Sequence, residues 1–169
     1  MERKGYDSGD TKESTPHTGY MEEALREAEK ALGIGEVPVG ALLVYQGKIV
    51  SRGHNLTGER GDPGEHAEMI VLREAHRLLG PRLPGASLYV TLEPCPMCAG
   101  RIVLSRIDAL YFGAFDLKAG AAGTLYTITD DLRLNHRVPT YGGILDARSR
   151  GLLQEYFRRR RGTGGGSEE

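Results

Sequence analysis

The order of helix-like and strand-like segments is the feature of this sequence that most limits its fold. Apolar spacing, glycines and prolines divide the chain into four predicted helices and five predicted strands. The helices are predicted over residues 18–32, 65–79, 96–106 and 146–160, and the strands over residues 39–45, 48–54, 87–92, 109–113 and 137–141. The resulting order, α-β-β-α-β-α-β-β-α, predicts a three-layer α/β/α domain with a central five-stranded mixed sheet.

The connections between the strands indicate how they pair. Gln46-Gly47 is a short polar link between the first two strands, which predicts an antiparallel hairpin. The last two strands are too far apart in sequence for a hairpin, so a parallel pairing is expected there. Residues 55–64 are rich in glycine and are predicted to be a loop.

The length of 169 residues suits a single domain. We expect the folded part to span residues 18–161, with a disordered extension at 1–17 and a disordered tail at 162–169, because both ends are polar and poor in apolar residues. A formal net charge of -1 identifies no partner, because a balanced total can hide two opposed faces.

No apolar run approaches the roughly 20 residues that cross a bilayer. The polar N-terminus has no apolar segment of the kind that signal peptides carry. The expectation is a cytoplasmic protein without a membrane partner, in a compartment where thiols stay reduced.

Two short motifs carry the chemistry. His66-Ala67-Glu68 and Pro94-Cys95-Pro96-Met97-Cys98 each lie at the predicted start of a helix. One imidazole and two thiolates are good zinc ligands, and three protein ligands leave a fourth position for water, whose pKa the metal lowers toward 7. A helix N-terminus also favours the thiolate. Glu68 is predicted to be the catalytic residue that moves the proton.

Two other interpretations of the cysteines stay open from spacing alone. A Cys-x-x-Cys pair in a cytosolic protein is also typical of a redox site. A structural zinc would need a fourth ligand, which His54 or His136 would have to supply. The upstream His-x-Glu and the proline before the first cysteine favour the zinc deaminase signature over both.

Basic residues gather near the C-terminus, at Arg158, Arg160 and Arg161 among others. Cations suit the end of a helix, and a charge run is often only a solvated face. An RNA ligand would give the same residues phosphate contacts.

Further stretches carry a resemblance to a known family. Residues 116–123 follow an Asp-x-Lys-x-Gly-Ala-x-Gly pattern. The other matching stretches are residues 36–41, 62–63, 66–68, 91–95, 97–100, 105–107, 111–114, 134–137, 157–158 and 160–161. Over about residues 18–161 the chain resembles the bacterial tRNA-specific adenosine deaminases of the cytidine/deoxycytidylate deaminase superfamily.

That resemblance implies a fold of the cytidine deaminase type, one zinc ion per subunit and a homodimer. It implies hydrolytic conversion of adenosine to inosine at the wobble position, number 34, of an arginine tRNA anticodon. The alternative is a zinc-dependent deaminase of a free base or nucleoside, such as guanine or cytidine.

The resemblance also implies roles for individual residues. The implied substrate-binding residues are Asn55 at the nucleoside, Val37, Pro38 and Ala67 around the purine, Asp116 and Lys118 at the anticodon-loop backbone, and Arg158, Arg160 and Arg161 at flanking nucleotides. Without the resemblance, Asn55 would equally suit a turn, and Val37 and Ala67 would suit a core. Asp116 and Lys118 would likewise suit a solvated loop.

The chain departs from the family pattern in two places. Gly64-Glu65 stands where the family commonly has Thr-Ala, and Phe115 stands where arginine is common. We expect either change to affect contacts to RNA and to leave the chemistry intact.

Overall fold

A computed structural model describes residues 15–163 of the chain. Its helices are α1 (Pro16–Gly33), α2 (Thr57–Arg60), α3 (Ala67–Leu79), α4 (Pro96–Ser105) and α5 (Asp146–Thr163). Its strands are β1 (Gly40–Tyr45), β2 (Lys48–His54), β3 (Ala86–Leu92), β4 (Ala109–Ala114) and β5 (Thr140–Tyr141). None of the helices in this part of the chain is both long and apolar enough to span a bilayer.

The strands form one sheet in the order β2-β1-β3-β4-β5. β1 pairs antiparallel with both β2 and β3, whereas β3–β4 and β4–β5 pair parallel. The predicted hairpin, the predicted parallel pairing of the last two strands and the five-stranded mixed sheet are therefore confirmed.

Alternation along β1 divides the core between the two faces of the sheet. Leu43 packs with Val71 of α3 and Ile102 of α4, while its neighbour Leu42 packs with Met21 of α1. Successive strand residues point to opposite faces, so a strand that is buried throughout needs a helical layer on each side. α5 packs beside α1 and completes the three layers.

The first helix begins earlier than the sequence predicts. Thr15 caps α1 by accepting a hydrogen bond from the Thr18 amide, and Pro16 occupies the first turn, where its missing N–H costs nothing. His17 stacks on Tyr111 and its Nδ1 lies 2.7 Å from the Tyr89 hydroxyl.

The predicted disorder at both ends is therefore wrong where the structure describes it. Residues 15–17 are ordered, and Gly162 and Thr163 belong to α5, although the sequence predicts disorder for both stretches. The remaining parts of those predictions, residues 1–14 and 164–169, lie outside the described residues.

Two smaller differences have local causes. The predicted loop over residues 55–64 contains the one-turn helix α2. The last strand is predicted over residues 137–141 but pairs with β4 only at Thr140 and Tyr141. Val138 instead donates its amide to the Thr129 carbonyl, 2.7 Å away, so the chain before β5 is bonded to a loop.

Gly40 marks the point where β1 comes closest to α1. A Cβ atom there would lie 2.1 Å from the Ala24 carbonyl oxygen. Gly40→Ala should lower the free energy of unfolding by about 1–3 kcal/mol, because neither backbone can move freely. Urea unfolding measures this, with Gly19→Ala as the control near the start of α1, where a Cβ atom would meet open space. Gly19→Ala should raise the free energy of unfolding by about 0.5–1 kcal/mol. Equal urea midpoints for the two variants would contradict the close approach of Gly40 to α1.

Candidate metal centre and substrate cavity

Two helices begin side by side and bring the predicted ligands together. His66 is the extended residue before α3, and Cys95 is the extended residue before α4. Pro96 starts α4 without needing an amide partner, and Cys98 follows in the first turn. The side chains at both helix starts therefore point into the same space.

The geometry fits a metal ion. His66 Nδ1 lies 3.5 Å from Cys95 Sγ and 3.5 Å from Cys98 Sγ, and the three donor atoms all lie within 4.8 Å of one another. One nitrogen and two sulfurs form a donor set that suits zinc, and both cysteines are free thiols. His66, Cys95 and Cys98 would hold the ion.

No fourth protein ligand joins this group within residues 15–163. His54 Nδ1 lies 2.9 Å from Glu27 Oε2, and His136 Nε2 lies 2.9 Å from the Ile107 carbonyl oxygen. Both histidines are therefore engaged elsewhere, and the arrangement has the three-ligand form of catalytic zinc sites.

The two thiols differ in their affinity for protons. The pKa of Cys95 is lowered to about 4, because the Cys98 thiol donates a hydrogen bond to its thiolate and His66 adds a second one. The pKa of Cys98 is raised by the same hydrogen bond and by burial. A metal ion that takes both sulfurs as thiolates must therefore release the proton of Cys98.

Glu68 lies in the first turn of α3, and its side chain lines the cavity beside the ligands. The residue is only 3% exposed. Burial raises the pKa of its carboxyl group. No lysine or arginine of the described residues forms an ion pair with it, and its raised pKa means that it holds a proton more readily than an exposed glutamate does.

A cavity of about 200 Å³ opens beside these groups. Its wall contains apolar, polar and acidic side chains around one small space. The lining residues are Val37, Val39, Asn55, Thr57, His66, Ala67, Glu68, Leu92, Glu93, Cys95, Asp116 and Ala119. Of the predicted substrate-binding residues, the structure thus brings Asn55, Val37, Ala67 and Asp116 together at the ligands.

The other predicted substrate-binding residues do not line the cavity. Pro38 is buried between Val37 and Val39, while Lys118 is exposed on the turn after β4. Three arginines lie on the last turns of α5; they are Arg158, Arg160 and Arg161.

The arginines at the end of α5 differ in the ion pairs and hydrogen bonds that they form. Arg158 and Arg159 both bind Glu155, and Arg160 donates to the Tyr156 hydroxyl over 2.9 Å. Arg161 makes no ion pair with any residue that the structure describes.

Two acidic residues in or beside the site were not predicted from the sequence to have a role. Glu36 is buried and accepts a hydrogen bond from Asn55 Nδ2 over 3.2 Å, while Thr57 Oγ1 accepts another from the same amide at 3.2 Å. Glu93 is buried in the cavity wall. Both lie inside stretches that carried the family resemblance, but an acidic residue in a short motif does not show which atoms it binds.

A family model describes the same region. The model of the cytidine and deoxycytidylate deaminase zinc-binding region matches residues 14–114. The chain belongs to the cytidine and deoxycytidylate deaminase family.

Curated relatives share much more than the zinc ligands. The tRNA-specific adenosine deaminase of Bacillus subtilis is 51% identical over 140 residues, which cover 82% of this chain and 87% of that protein. The enzyme of the same name from Aquifex aeolicus is 46% identical over 143 residues, covering 84% of this chain and 94% of that one. The chain is therefore a hydrolytic deaminase with a zinc site.

Solved structures give the same fold. A structure from work on A-to-I editing by tRNA:A34 deaminases superposes with a TM-score of 0.77 at 44% identity, covering 80% of this chain and 99% of that one. A guanine deaminase from Nitrosomonas europaea superposes with a TM-score of 0.72 at 20% identity, covering 85% of each chain. The second likeness shows the fold alone.

Removal of one ligand should remove the metal. Cys98→Ala leaves two donors, so purified protein should contain far less than one zinc ion per chain. Elemental analysis after gel filtration measures the ratio, with His136→Gln as a control that leaves all three donors in place. Full zinc content in Cys98→Ala would contradict the assignment of the ligands.

Proposed function

We propose that this deaminase converts adenosine to inosine at the wobble position of a tRNA anticodon loop. The observation that carries the proposal is the position of Glu68, a buried carboxyl in one small cavity with the three metal ligands. The names of the relatives at 46–51% identity support the substrate.

The cavity suits one base taken out of a helix. At about 200 Å³ it is smaller than the roughly 300–1,000 Å³ typical of sites for drug-sized ligands. A base inside a duplex cannot reach a buried metal, whereas an anticodon loop presents unpaired bases. Val37 and Ala67 would contact the purine faces, and Asn55 would bind its edge.

The chain's own residues supply the proton transfers. When bound, zinc would act as a Lewis acid that lowers the pKa of water. Glu68 takes a proton from water as the water oxygen bonds to C6 of adenine, and it delivers that proton to the ring nitrogen. Glu68 then takes the remaining proton from the new C6 hydroxyl and delivers it to the leaving amine. The C6–N bond then breaks, ammonia leaves, and hypoxanthine stays on the ribose. One carboxyl serves both steps because its raised pKa lets it act as base and then as acid.

The RNA backbone would meet charged groups in the cavity wall and outside it. We assign contacts to Asp116 and Lys118 on the turn after β4 and to Arg158, Arg160 and Arg161 on α5. Phosphate contacts by the lysine and the arginines supply affinity without reading sequence. A deaminase of free bases or nucleosides has no need of such groups.

A homodimer is part of the proposal, and the cytoplasmic location stays a prediction. The dimer is supported by the family resemblance and by an apolar surface outside the site. This surface, here called the α4 surface, surrounds a recess of about 640 Å³ lined by His76, Pro81, Met97, Gly100, Arg101, Leu104 and Ser105. Leu104 is 77% exposed there, which a second copy would cover.

Glu68→Gln tests the proton transfer. The variant keeps the shape of the side chain but cannot take a proton, so inosine formation should fall by roughly 10²- to 10⁴-fold. The assay follows inosine in an anticodon stem-loop with adenosine at the wobble position. Zinc content should stay at one ion per chain, which separates loss of chemistry from loss of metal. Turnover near the wild-type rate would refute the role of Glu68.

Replacement of Arg158, Arg160 and Arg161 by alanine tests the RNA contacts. Binding of the stem-loop should weaken, and the slope of log K against log salt should decrease by about 0.7 for each phosphate that an arginine no longer binds. Arg161 should account for the largest share, because Arg158 must give up its ion pair with Glu155 and Arg160 its hydrogen bond to Tyr156. A control that replaces Arg26, Arg52 and Arg77 removes the same charge elsewhere. An identical salt slope in both variants would count against a specific role for α5.

Leu104→Glu tests the dimer. A charge on the α4 surface should convert a dimer to a monomer, as measured by light scattering during gel filtration. Leu132→Glu is the matched control, since Leu132 is also 77% exposed but does not line that surface. Dimers in both variants would show that copies associate elsewhere.

A further inference from the structure

Glu93 is a buried carboxylate that the proposed chemistry does not use. It follows β3 directly, lies two residues before the ligand Cys95 and is 2% exposed in the cavity wall. No lysine, arginine or histidine forms an ion pair with it in the described part of the chain. A carboxylate in that position costs free energy unless hydrogen-bond donors surround it.

The donors all come from one segment, residues 116–124, which we call the 116–124 turn. Oε2 accepts from the Asp116 amide at 3.0 Å and from the Thr124 hydroxyl at 2.5 Å. Oε1 accepts from the amides of Ala122 at 3.2 Å and Thr124 at 2.9 Å. Hydrogen bonds to a charged acceptor are stronger than neutral ones, so these four contacts fasten both ends of the turn to a single side chain.

The turn wraps closely around this carboxylate. A Cβ atom at Gly120 would lie 2.5 Å from Glu93 Oε2 and 2.5 Å from the Asp116 carbonyl oxygen. The Ala121 amide also donates to the Pro94 carbonyl over 2.8 Å. The turn is thus held against the short segment that leads into the metal ligands.

The outer side of the turn faces the cavity. Asp116 Oδ1 accepts from the amides of Lys118 at 2.9 Å and Ala119 at 3.2 Å, which fixes the turn internally. Asp116 and Ala119 line the cavity, and Lys118 is exposed beside them. The internal bonds set the shape of the turn, whereas Glu93 sets its distance from the ligands.

We propose that Glu93 is a positioning residue, which holds the 116–124 turn at a fixed distance from the metal ligands so that the contacts to RNA are correctly placed. Both of its oxygens are occupied by donors from the turn, so it does not act on the substrate as Glu68 does. The part of this inference that concerns RNA rests on the proposed function.

Two variants and one control test the inference. Glu93→Gln replaces one accepting oxygen with an NH₂ group, which faces the donors of the turn and cannot accept their hydrogen bonds. Thr124→Val removes one hydroxyl donor and leaves Glu93 in place. Thr127→Val is the control, since Thr127 is exposed and its side chain makes no bond to Glu93. All three are assayed as zinc-loaded full chains.

Amide hydrogen exchange measures the positioning directly. Loss of a bond to a charged group should speed exchange of the 116–124 turn by about ten-fold or more in Glu93→Gln and Thr124→Val, with Thr127→Val unchanged. Zinc content should stay at one ion per chain. With the stem-loop, KM should rise about ten-fold while kcat stays within about two-fold. Misplaced RNA contacts weaken binding of the RNA more than they slow the proton transfer at the base.

Two results would overturn the inference. Wild-type exchange in both variants would show that the backbone bonds hold the turn without Glu93. Faster exchange with an unchanged KM, or with kcat lowered alone, would show that the turn does not position the RNA. If the wild-type protein leaves the stem-loop unmodified, the proposed function fails, and the exchange result still decides whether Glu93 holds the turn.

Discussion

The site depends on two helix N-termini that meet at one place. α3 and α4 begin so close together that His66 Nδ1 lies 3.5 Å from both cysteine sulfurs. Both helices pack on the same face of the sheet, where Val71 and Ile102 belong to one core with Leu43. The chemistry of the ligands therefore depends on apolar packing that fixes where each helix starts.

Buried carboxyl groups surround this centre, and each has a different environment. Glu68 forms no ion pair with a lysine or arginine among residues 15–163, and burial raises its pKa, which suits proton transfer. Glu36 holds Asn55, and Glu93 holds the 116–124 turn. The last two are satisfied by amide and hydroxyl donors, which are directional and so fix geometry. One residue type thus serves chemistry in one case and positioning in the two others.

The sequence alone predicts the sheet, the ligands and much of the cavity. The ligands are predictable because few donor sets suit zinc, and the strands because a buried strand has a distinctive apolar pattern. The start of α1 is misplaced from sequence because the capping by Thr15 and the stacking of His17 on Tyr111 depend on partners outside the apolar repeat. The role of Glu93 is missed for a similar reason, since its donors come from residues 23–31 positions later.

The measurement that tests the central claim most directly compares substrates for one zinc-loaded preparation. An anticodon stem-loop with adenosine at the wobble position is incubated in parallel with free adenosine, cytidine and guanine. Inosine in the stem-loop, with no turnover of the free compounds, is the result that a base-sized cavity and exposed cations predict. Turnover of a free base or nucleoside with unmodified RNA would keep the deaminase chemistry and contradict the assignment of tRNA as the substrate.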